Sequence, residues 1–474
     1  MAKVDIEKSE SLVKALGTWD IFAAGVGLVV AASTLVSDFQ GWFGGGTNFA
    51  IALVASGVLN LLLGLSAAEL STTYPKAGAL YDYGAAATPG GHGAKTIVGV
   101  FLALLFYFMF AFAGGGETTA GASGAVGLFD AGSVQFWIIV MTVLAVIPNL
   151  MGIEALAKLE LGLLVGMLGI RWFFGLAGFA GFSDLGSWST SNIPTAIEDF
   201  AGFAGIVALT GGFAFWSFVG IEFVAHLAEE TKDPARSIPK GIVFGILAIL
   251  ATSLFMGYGV SGLGQDWAGT VSADAPQLDV GIAMFGTTGR VLMALASVLA
   301  TFASMTIVYA AMPRILYGIS RNGHFLGPLS RWFGHIHPKY RTPWVAIIVT
   351  AVFYTSVALY YTNAAEDAVI TQIFTAAYVW ILIYAIYHVL VLVSRFTNPD
   401  VDRPFKLPLA LPAVGLVMTL YVWYKAFEGA HGDFGSSALK WILIPSVVIT
   451  IVSYAIRDSA NIVDHLVEEV HQEI

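Results

Sequence analysis

The chain of 474 residues is 57% hydrophobic and 11% charged, with a mean hydropathy of +0.78, no cysteine and a net charge of −10. Soluble domains carry about 25% charged residues, which excludes a water-soluble globular class for most of this chain. The lack of cysteine excludes disulfides and thiolate metal sites. The apolar runs are too long and too continuous for the alternating strands of a membrane barrel. We therefore expect an all-α integral membrane protein.

Twelve apolar runs are long enough to cross a bilayer, because about 20 apolar residues span it as a helix. The predicted spans are residues 18–36, 47–68, 96–120, 134–152, 158–181, 204–228, 240–263, 291–316, 343–361, 369–394, 408–427 and 438–456. They are preceded by a charged segment, residues 1–17, that lacks a signal-peptide cleavage site. After them, residues 457–474 place apolar side chains at helical spacing, which predicts an amphipathic tail helix.

The placement of lysine and arginine predicts the orientation of the chain. With twelve spans, eighteen of these residues fall on the side of both termini and three on the opposite side, while Arg171 lies inside a span. Such an excess is typical of the cytoplasmic side of a membrane. The sequence therefore predicts a multi-pass protein of the cell membrane (plasma or inner membrane), with both termini in the cytoplasm and the lipid bilayer as its surroundings.

The first span is rich in small residues. The stretch "AAGVGLVVAAS", residues 23–33, favours either close helix packing or a local interruption of the helix. After the span, the glycine-rich stretch "GWFGGG", residues 41–46, lacks the lysine and hydroxyl residue of a phosphate-binding loop. We expect it to be a flexible outer connection, and we expect Asp38 to lie in the same outer loop.

Ionisable side chains inside the third and fifth spans are candidate functional groups, because each costs a few kcal/mol in hydrocarbon. Glu117 lies in "GGGETTAG" of the third span and Arg171 lies in the fifth. A guanidinium does not lose its proton in proteins, so Arg171 is not expected to carry the proton. Its role is left open between a fixed cation, a snorkelling side chain and an ion-pair partner of Glu117. Lys158 lies at the start of the fifth span and is interpreted as an orientation charge.

The sixth span contains "FAFWSFVGIE", residues 213–222, and has the strongest signs of an interrupted helix. Gly211, Gly212 and Gly220 bracket the aromatic cluster around Trp216, and each glycine weakens helical backbone by about 1 kcal/mol. Irregular backbone at membrane depth is tolerated where it is buried in protein or lines a cavity. The pattern favours a cavity here, while tight packing of small residues remains the alternative.

Glu222 is the acid of this sixth span, and His226 follows one helical turn later. Three interpretations of Glu222 remain open: a gating and proton-carrying group, a group that holds loosened backbone of the first span, and a direct ligand contact. His226 either tunes the proton on Glu222 or is a satisfied residue near the cytoplasmic mouth of the span.

The remaining polar candidates are weaker. Hydroxyl groups of the eighth span that could serve as sodium ligands are those of Ser297, Thr301, Ser304 and Thr306. Residues expected to form cytoplasmic ion pairs are Glu229, Glu230, Lys232, Arg236 and Arg321. His335 and His337 lie in a basic loop with no further sign of a metal site. No metalloprotease motif, catalytic triad or nucleotide loop is present, so we expect no metal, no cofactor and no nucleic-acid partner.

Four stretches, in order along the chain, resemble the amino acid–polyamine–organocation (APC) superfamily. They are "AELSTTYPKAGALYDYG" (68–84), "WSFVGIEFVAHLAEETKDPARSIPKGI" (216–242), "MPRILYGISRNGHFLGPLSRW" (312–332) and "RPFKLPL" (403–409). The run W-S-F-V-G-I-E is similar to that of arginine/agmatine-type antiporters. The outer segment "SDFQGWFGGG" has some likeness to permeases of the ethanolamine type.

The resemblance implies a LeuT-like fold. Its ten-helix core of two inverted five-helix repeats would occupy residues 18–395, and two additional helices would occupy residues 396–456. It also implies a central site between a broken first and a broken sixth helix, where helix ends bind a substrate carboxylate and free carbonyls bind its ammonium. Expected substrate contacts are Ala23, Val26, Val30, Ala31, Ala32, Ser33, Phe215, Trp216, Ser217 and Val219. Expected gating or proton-coupling residues are Glu222, His226, Glu117, Arg171 and Lys158.

One departure from the family pattern affects the substrate. The superfamily's first helix reads G-[SA]-G-I-F at its break, whereas residues 31–35 here read A-A-S-T-L, so backbone N–H groups are less open to a carboxylate. The sequence predicts a secondary active transporter of an amino acid or small organic amine, not an enzyme. Proton coupling or exchange is favoured over sodium. The resemblance to relatives with a lysine in the fifth helix makes a fixed cation in sodium's place one of the interpretations of Arg171. An organocation importer for polyamine or ethanolamine is one alternative, and a non-transporting amine sensor is another.

Overall fold

The computed structural model describes residues 14–456 except 77, 152, 271–274 and 366. Over this part of the chain the secondary structure is helical, apart from an isolated bridge between Leu16 and Thr231. The predicted tail helix, residues 457–474, and most of the N-terminal segment lie outside the described residues. The predicted all-α class is therefore confirmed for the part of the chain that is described.

The α-helices in chain order are α1 (Thr18–Val29), α2 (Ala32–Gly45), α3 (Thr47–Thr73), α4 (Leu80–Ala87), α5 (His92–Phe129), α6 (Val134–Met151), α7 (Ile153–Phe179), α8 (Gly202–Gly211), α9 (Phe213–Trp216), α10 (Pro234–Ser261), α11 (Pro276–Arg321), α12 (Ser330–Phe333), α13 (Trp344–Ala364), α14 (Ala368–Thr397), α15 (Ala410–Ala426), α16 (His431–Ala438) and α17 (Ile444–Ala455). Each predicted span coincides with one or more of them. Within the described residues, ten helical segments are long and apolar enough to cross a membrane, or eleven with the bent α1–α2 pair. The shorter apolar helix α15 lies where the eleventh span is predicted.

The first span is broken and continues further than predicted. Its two parts, α1 and α2, meet at an angle of 60°. The prediction of a flexible outer connection at residues 41–46 is wrong, because residues 41–45 are buried and helical. The prediction of Asp38 in an outer loop is also wrong, since its side chain is fully buried in α2. The physical reason is the aromatic stripe of Phe39, Trp42 and Phe43, which holds one face of α2 in the core.

The sixth span is divided into three parts. After α8 and the four-residue α9, the backbone leaves helical geometry and resumes as a 3₁₀ segment, Ile221–Glu230. Gly220 turns the chain with a φ of +102°, a conformation that L side chains rarely adopt, and a Cβ atom there would lie 3.0 Å from Leu28 of α1. The interruption predicted around Trp216 is therefore present.

The two broken spans lie against each other at the centre of the helical core. The 3₁₀ segment packs on α1, and α9 packs on α2. Helices α3, α5, α10, α11 and α14 surround them. Helices such as α6, α13, α15 and α17 carry many of the large apolar side chains on the outer surface. The central position makes the breaks inaccessible to lipid and available to a cavity.

Two of the family-like motifs meet at a buried ion-pair cluster. Glu69 of "AEL" accepts hydrogen bonds from the Arg395 guanidinium at 2.8 and 2.5 Å and from the Leu407 backbone N–H at 2.8 Å. Arg403 of "RPFKLPL" lies 3.9 Å from the same carboxylate. These residues therefore join α3 to α14 and to the segment between α14 and α15. The two arginines neutralise the buried carboxylate of Glu69.

Candidate functional site

A small cavity lies where the two broken spans face each other. Its volume is about 30 Å³, on the order of one or two water molecules. The residues that line it are Leu28, Val29, Ala31, Ser33, Thr34, Phe110, Ala113, Gly114, Glu117, Trp216, Val219, Ser304, Val308 and Trp380. The volume is far below the several hundred Å³ of typical ligand pockets, so this conformation is contracted around the site.

The N-terminus of α2 points at the carboxylate of Glu117 on α5. The first N–H groups of a helix have no partner within the helix. Here the N–H of Ala32 donates to Oε1 of Glu117 at 3.0 Å, and the N–H of Ser33 donates to Oε2 at 2.8 Å. Glu117 therefore caps the break in the first span from another helix. A negative charge at this end is favoured by the helix dipole.

Two hydroxyl groups of α11 complete the surroundings of Glu117. Thr301 donates to Oε1 at 2.5 Å, and Ser304 donates to the same oxygen at 3.1 Å. Both were candidates for sodium ligands on sequence grounds, and in this conformation both hydroxyls lie within hydrogen-bond distance of the carboxylate. Their other acceptors are the backbone carbonyls of Glu117 and Thr301. The acid is thus buried, with a side chain held by four neutral donors and by no directly bonded cation among the described residues.

Arg171 of α7 is buried beside the same break. Its Nη2 donates to the Ala31 carbonyl at 2.7 Å and to the Thr34 hydroxyl at 3.2 Å. Its Nη1 lies 3.6 Å from the carboxylate of Asp38. The acid nearest to the Arg171 guanidinium in a direct ion pair is therefore Asp38. Arg171 also interacts electrostatically with Glu117, whose own hydrogen bonds come from neutral donors.

Asp38 carries this polar network from the first span to the sixth. Its carboxylate accepts hydrogen bonds from Ser217 at 2.5 Å and from Ser253 at 2.9 Å. In addition, Ser37 donates to the carbonyl of Phe213 at 2.9 Å. Sequence analysis missed Asp38 as an intramembrane acid because its position in α2 was assigned to a loop. The network fixes α2 against the piece of the sixth span that precedes the break.

Glu222 lies in the 3₁₀ segment and is fully buried. Its carboxylate accepts hydrogen bonds from Nε1 of Trp380 at 2.6 Å and from the hydroxyl of Tyr384 at 3.0 Å, both on α14. One sequence hypothesis placed Glu222 on loosened backbone of the first span. In the structure Glu117 makes those contacts, and Glu222 instead joins the sixth span to α14.

His226 lies away from the cavity lining. The His226 ring stacks on Phe106 with centroids 5.3 Å apart, and its Nδ1 lies 3.2 Å from the Phe223 carbonyl. Its Nε2 is buried and has no hydrogen-bond partner among the described residues. Lys158 lies in α7, and its side chain is outside the part of the structure that is described.

Trp216 forms one wall of the cavity. Its Nε1 donates to the hydroxyl of Ser33 at 3.0 Å, and its ring meets Trp380 edge-on at a centroid distance of 6.0 Å. Of the expected substrate contacts, four line the cavity, namely Ala31, Ser33, Trp216 and Val219. The other expected contacts are buried but are not among the lining residues: Ala23, Val26, Val30, Ala32, Phe215 and Ser217.

The walls from other helices were not singled out in the sequence. On α5, Phe110, Ala113, Gly114 and Glu117 follow the 3–4 residue spacing of one helix face. Counting back from Glu117 at this spacing could have predicted the wall that α5 contributes. No feature of the sequence around Trp380 indicated that this side chain lines the cavity.

Ion pairs join the end of the sixth span to α11. Arg314 makes a bidentate contact with Glu230 at 2.7 and 2.8 Å, and Arg321 lies 3.3 Å from Glu229. The first pair is buried and the second is partly exposed. Both pairs link segments on the side of the molecule that the sequence assigns to the cytoplasm, as an inner gate requires.

The first described residues are also tied to this end. Leu16 bridges Thr231, and the backbone N–H of Lys232 donates to the Leu16 carbonyl at 3.0 Å. Lys232 and Arg236 were also expected in ion pairs. Among the described residues they form none of the ion pairs above, and they line a pocket of about 470 Å³ beside Trp19.

Asp82 of α4 is a buried acid at the same end, and burial raises its pKa from 3.8 to about 6. Arg321 opposes this rise, and Glu229 adds to it.

The folded-state pKa of Asp82 exceeds its ordinary value, so the free energy of unfolding falls as pH rises from about 4 through 6. We expect Asp82→Asn to raise the free energy of unfolding at pH 7.5, on the order of 2–3 kcal/mol. Melting of the purified protein at pH 4.5 and 7.5 checks this.

An exposed acid provides the control for that prediction. Asp400→Asn is expected to leave the melting temperature unchanged at both pH values, because Asp400 is exposed. If Asp82→Asn and wild-type protein lose stability equally as pH rises, the buried carboxyl of Asp82 is not the responsible group.

The helices, the paired breaks and the central cavity together define a multi-pass membrane transport protein of the permease class. The chain belongs to the amino acid permease family, whose sequence model matches residues 16–462. This family and the relatives below are permeases and transporters, so the chain is a transporter and not an enzyme.

Three relatives are similar to this chain over different shares of its length. An uncharacterized transporter of Rhizobium meliloti (strain 1021) is 30% identical over 386 residues, 76% of this chain and 75% of the relative. A branched-chain amino acid permease of Bacillus subtilis (strain 168) is 25% identical over 94% of both chains. A low-affinity putrescine importer of Escherichia coli (strain K12) is 32% identical over 28% of this chain and 29% of the relative.

Proposed function

We propose that the protein is a secondary active transporter of an amino acid or small organic amine that works by alternating access. The observation that carries this proposal is the pair of breaks, at residues 30–31 and 217–220, which face each other across the central cavity. Freed peptide groups at such breaks bind charged groups of a small molecule. The family, with relatives named for amino acids and for putrescine, supports this range of substrates.

The proposed architecture is the LeuT-like one. Residues 18–395 would form two inverted five-helix repeats, and residues 396–456 would add two helices. The recurrence of a break five spans after the first supports this arrangement. The excess of lysine and arginine supports a place in the cell membrane with both termini in the cytoplasm.

The proposed coupling ion is the proton, in symport or exchange. Arg171 places a permanent positive charge on the Ala31 carbonyl, where a bound cation would otherwise hold the first span. Glu222 is the proposed proton carrier, since it is a buried acid that bridges the sixth span and α14. The W-S-F-V-G-I-E run, similar to that of arginine/agmatine-type antiporters, supports exchange.

Counterflow in proteoliposomes tests the transport function. Vesicles are loaded with an unlabelled amino acid or amine, and uptake of the same labelled compound is followed with and without an imposed pH gradient. A transient accumulation that needs the purified protein is expected. Saturable binding to the detergent-solubilised protein without any counterflow would instead indicate the membrane sensor named above as the alternative.

Trp216→Ala is expected to weaken substrate affinity roughly tenfold while leaving the maximal uptake rate within a factor of about three. The indole forms a wall of the cavity and packs where the substrate is proposed to lie. Trp332→Ala is the matched control, because that side chain is 67% exposed. Unchanged KM in Trp216→Ala would place the substrate elsewhere.

A further inference from the structure

We propose that the central site selects primary monoamines that lack an α-carboxylate, with Glu117 as the group that binds the ammonium. This inference rests on the proposed transport function and names the substrate class of the same cavity. It departs from the docking mode expected from the sequence, in which a substrate carboxylate would bind the backbone near residues 30–33.

The first argument is that the anion position at the α2 N-terminus is already filled by the protein. The N–H groups of Ala32 and Ser33 donate to the two oxygens of Glu117 at 3.0 and 2.8 Å. These are the donors that a substrate carboxylate would need. To bind there, the substrate would have to displace a side chain that also accepts from Thr301 and Ser304. It would then place a second carboxylate beside the first in a buried site, which is unfavourable.

The second argument is the charge of the cavity. Among the described residues that line it, Glu117 is the one ionisable group, and none of the lining residues is basic. The guanidinium of Arg171 lies behind the lining, where it is engaged by Ala31, Thr34 and Asp38. A carboxylate surrounded by neutral donors is a costly buried charge that a cation would offset. Arg171 interacts electrostatically with Glu117 from behind the lining, without a direct bond to it. A substrate ammonium would supply a cation in direct contact with the carboxylate, whereas a substrate carboxylate would meet no basic side chain in the lining.

The third argument is the character of the walls. The rings of Phe110, Trp216 and Trp380 and the side chains of Val219 and Val308 line the cavity. Aromatic faces attract an ammonium group by cation–π interaction, and the valines favour an uncharged body of the substrate. The other two intramembrane acids do not line the cavity: Glu222 is held on Nε1 of Trp380, and Asp38 is held by Ser217, Ser253 and Arg171. The site therefore offers one anionic contact, which fits a monoamine better than a diamine.

Decarboxylated pairs test this inference with the wild-type protein. Isopentylamine and leucine, ethanolamine and serine, and putrescine and ornithine differ within each pair only by the carboxylate. Each compound competes for counterflow in proteoliposomes and is tested for thermal stabilisation of the purified full-length chain. We expect the monoamines to compete at least tenfold better than their amino acids, and better than putrescine. Amino acids that compete as well as or better than their amines would overturn the inference.

The pattern of results separates this inference from the proposed function. If no compound of either class shows counterflow, the transport function itself has failed. If leucine or serine is transported and the amines are not, transport stands and the role assigned to Glu117 has failed. Preferred uptake of putrescine would contradict a site with one anionic contact, and so the selection of monoamines. It would still agree with a preference for amines over amino acids.

Glu117→Gln supplies a second, independent readout. The amide keeps the shape of the side chain and removes its charge, so affinity for the monoamine should fall at least tenfold and the preference over the amino acid should vanish. Glu428→Gln is the control, because Glu428 is exposed and pairs with Lys425 at the surface. A Glu117→Gln protein that retains both melting temperature and amine preference would contradict the proposal. If this variant does not fold, the competition between amines and amino acids on the wild-type protein still tests the proposal.

Discussion

Arg171→Met is expected to reduce uptake to less than a tenth of the wild-type rate and to lower the melting temperature by several degrees. The guanidinium holds the Ala31 carbonyl and the Thr34 hydroxyl at the break and neutralises the buried carboxylate of Asp38. Removal of one partner of a buried ion pair costs about 3–5 kcal/mol, because the other charge is left unpaired. Uptake by proteoliposomes and thermal melting of the purified variant measure the two effects.

Two further variants separate stability from transport. Asp38→Asn combined with Arg171→Met removes both charges and should restore most of the melting temperature, while uptake stays low because the break has still lost its fixed cation. Arg171→Lys keeps a positive charge but lacks the planar fork that reaches two oxygens at once, so partial uptake is expected. Full uptake in the uncharged double variant would show that Arg171 serves only to balance Asp38.

Glu222→Gln is expected to abolish the pH dependence of uptake between about pH 5.5 and 8 while leaving the protein folded. Glu222 is fully buried, and its oxygens accept from Trp380 and Tyr384. Glutamine fills the same space but does not titrate, so a proton can no longer load at this position. Initial uptake rates across this pH range, with and without a proton gradient, measure the change.

Tyr384→Phe is the matched control for that experiment. It removes one hydrogen-bond donor to the same carboxylate and leaves the acid in place. We expect this variant to remain dependent on pH, though with altered rates. A pH profile in Glu222→Gln that matches the wild type would assign the proton to another acid, and Glu117 would then be the next to test.

The positions of the spans were predictable because hydropathy is a local property. Each of the twelve predicted runs coincides with helical segments of the structure. The interruptions of the first and sixth spans were also indicated locally, by small residues at 23–33 and by glycines around Trp216. Gly220, with its positive φ, shows why the residue type mattered.

The length of α2 was not predictable from the same local signals. The stretch "GWFGGG" has the composition of a loop, but Trp42 packs against Phe49 and Tyr258 and holds those glycines in a buried helix. Asp38 was misplaced for the same reason. Its burial depends on Arg171, which lies 133 positions away along the chain and is brought near by tertiary folding.

The partners of Glu117 and Glu222 also depend on tertiary structure. The sequence identified Glu117 and Glu222 as intramembrane acids, but it could not assign either to a contact. Glu117 meets Ser33 across 84 positions, and Glu222 meets Trp380 across 158. Only the packing of α5 on α2 and of α14 on the sixth span decides which acid holds the break of the first span.

The most direct test of the central claim is a cryo-EM map of the wild-type protein in lipid nanodiscs with a transported amine. We predict ligand density between the breaks at residues 30–31 and 217–220, against Trp216, with its nitrogen within hydrogen-bond distance of the Glu117 carboxylate. Density for the ligand at any other location, with Glu117 still on the N–H groups of Ala32 and Ser33 and no enlargement of the cavity, would contradict the account.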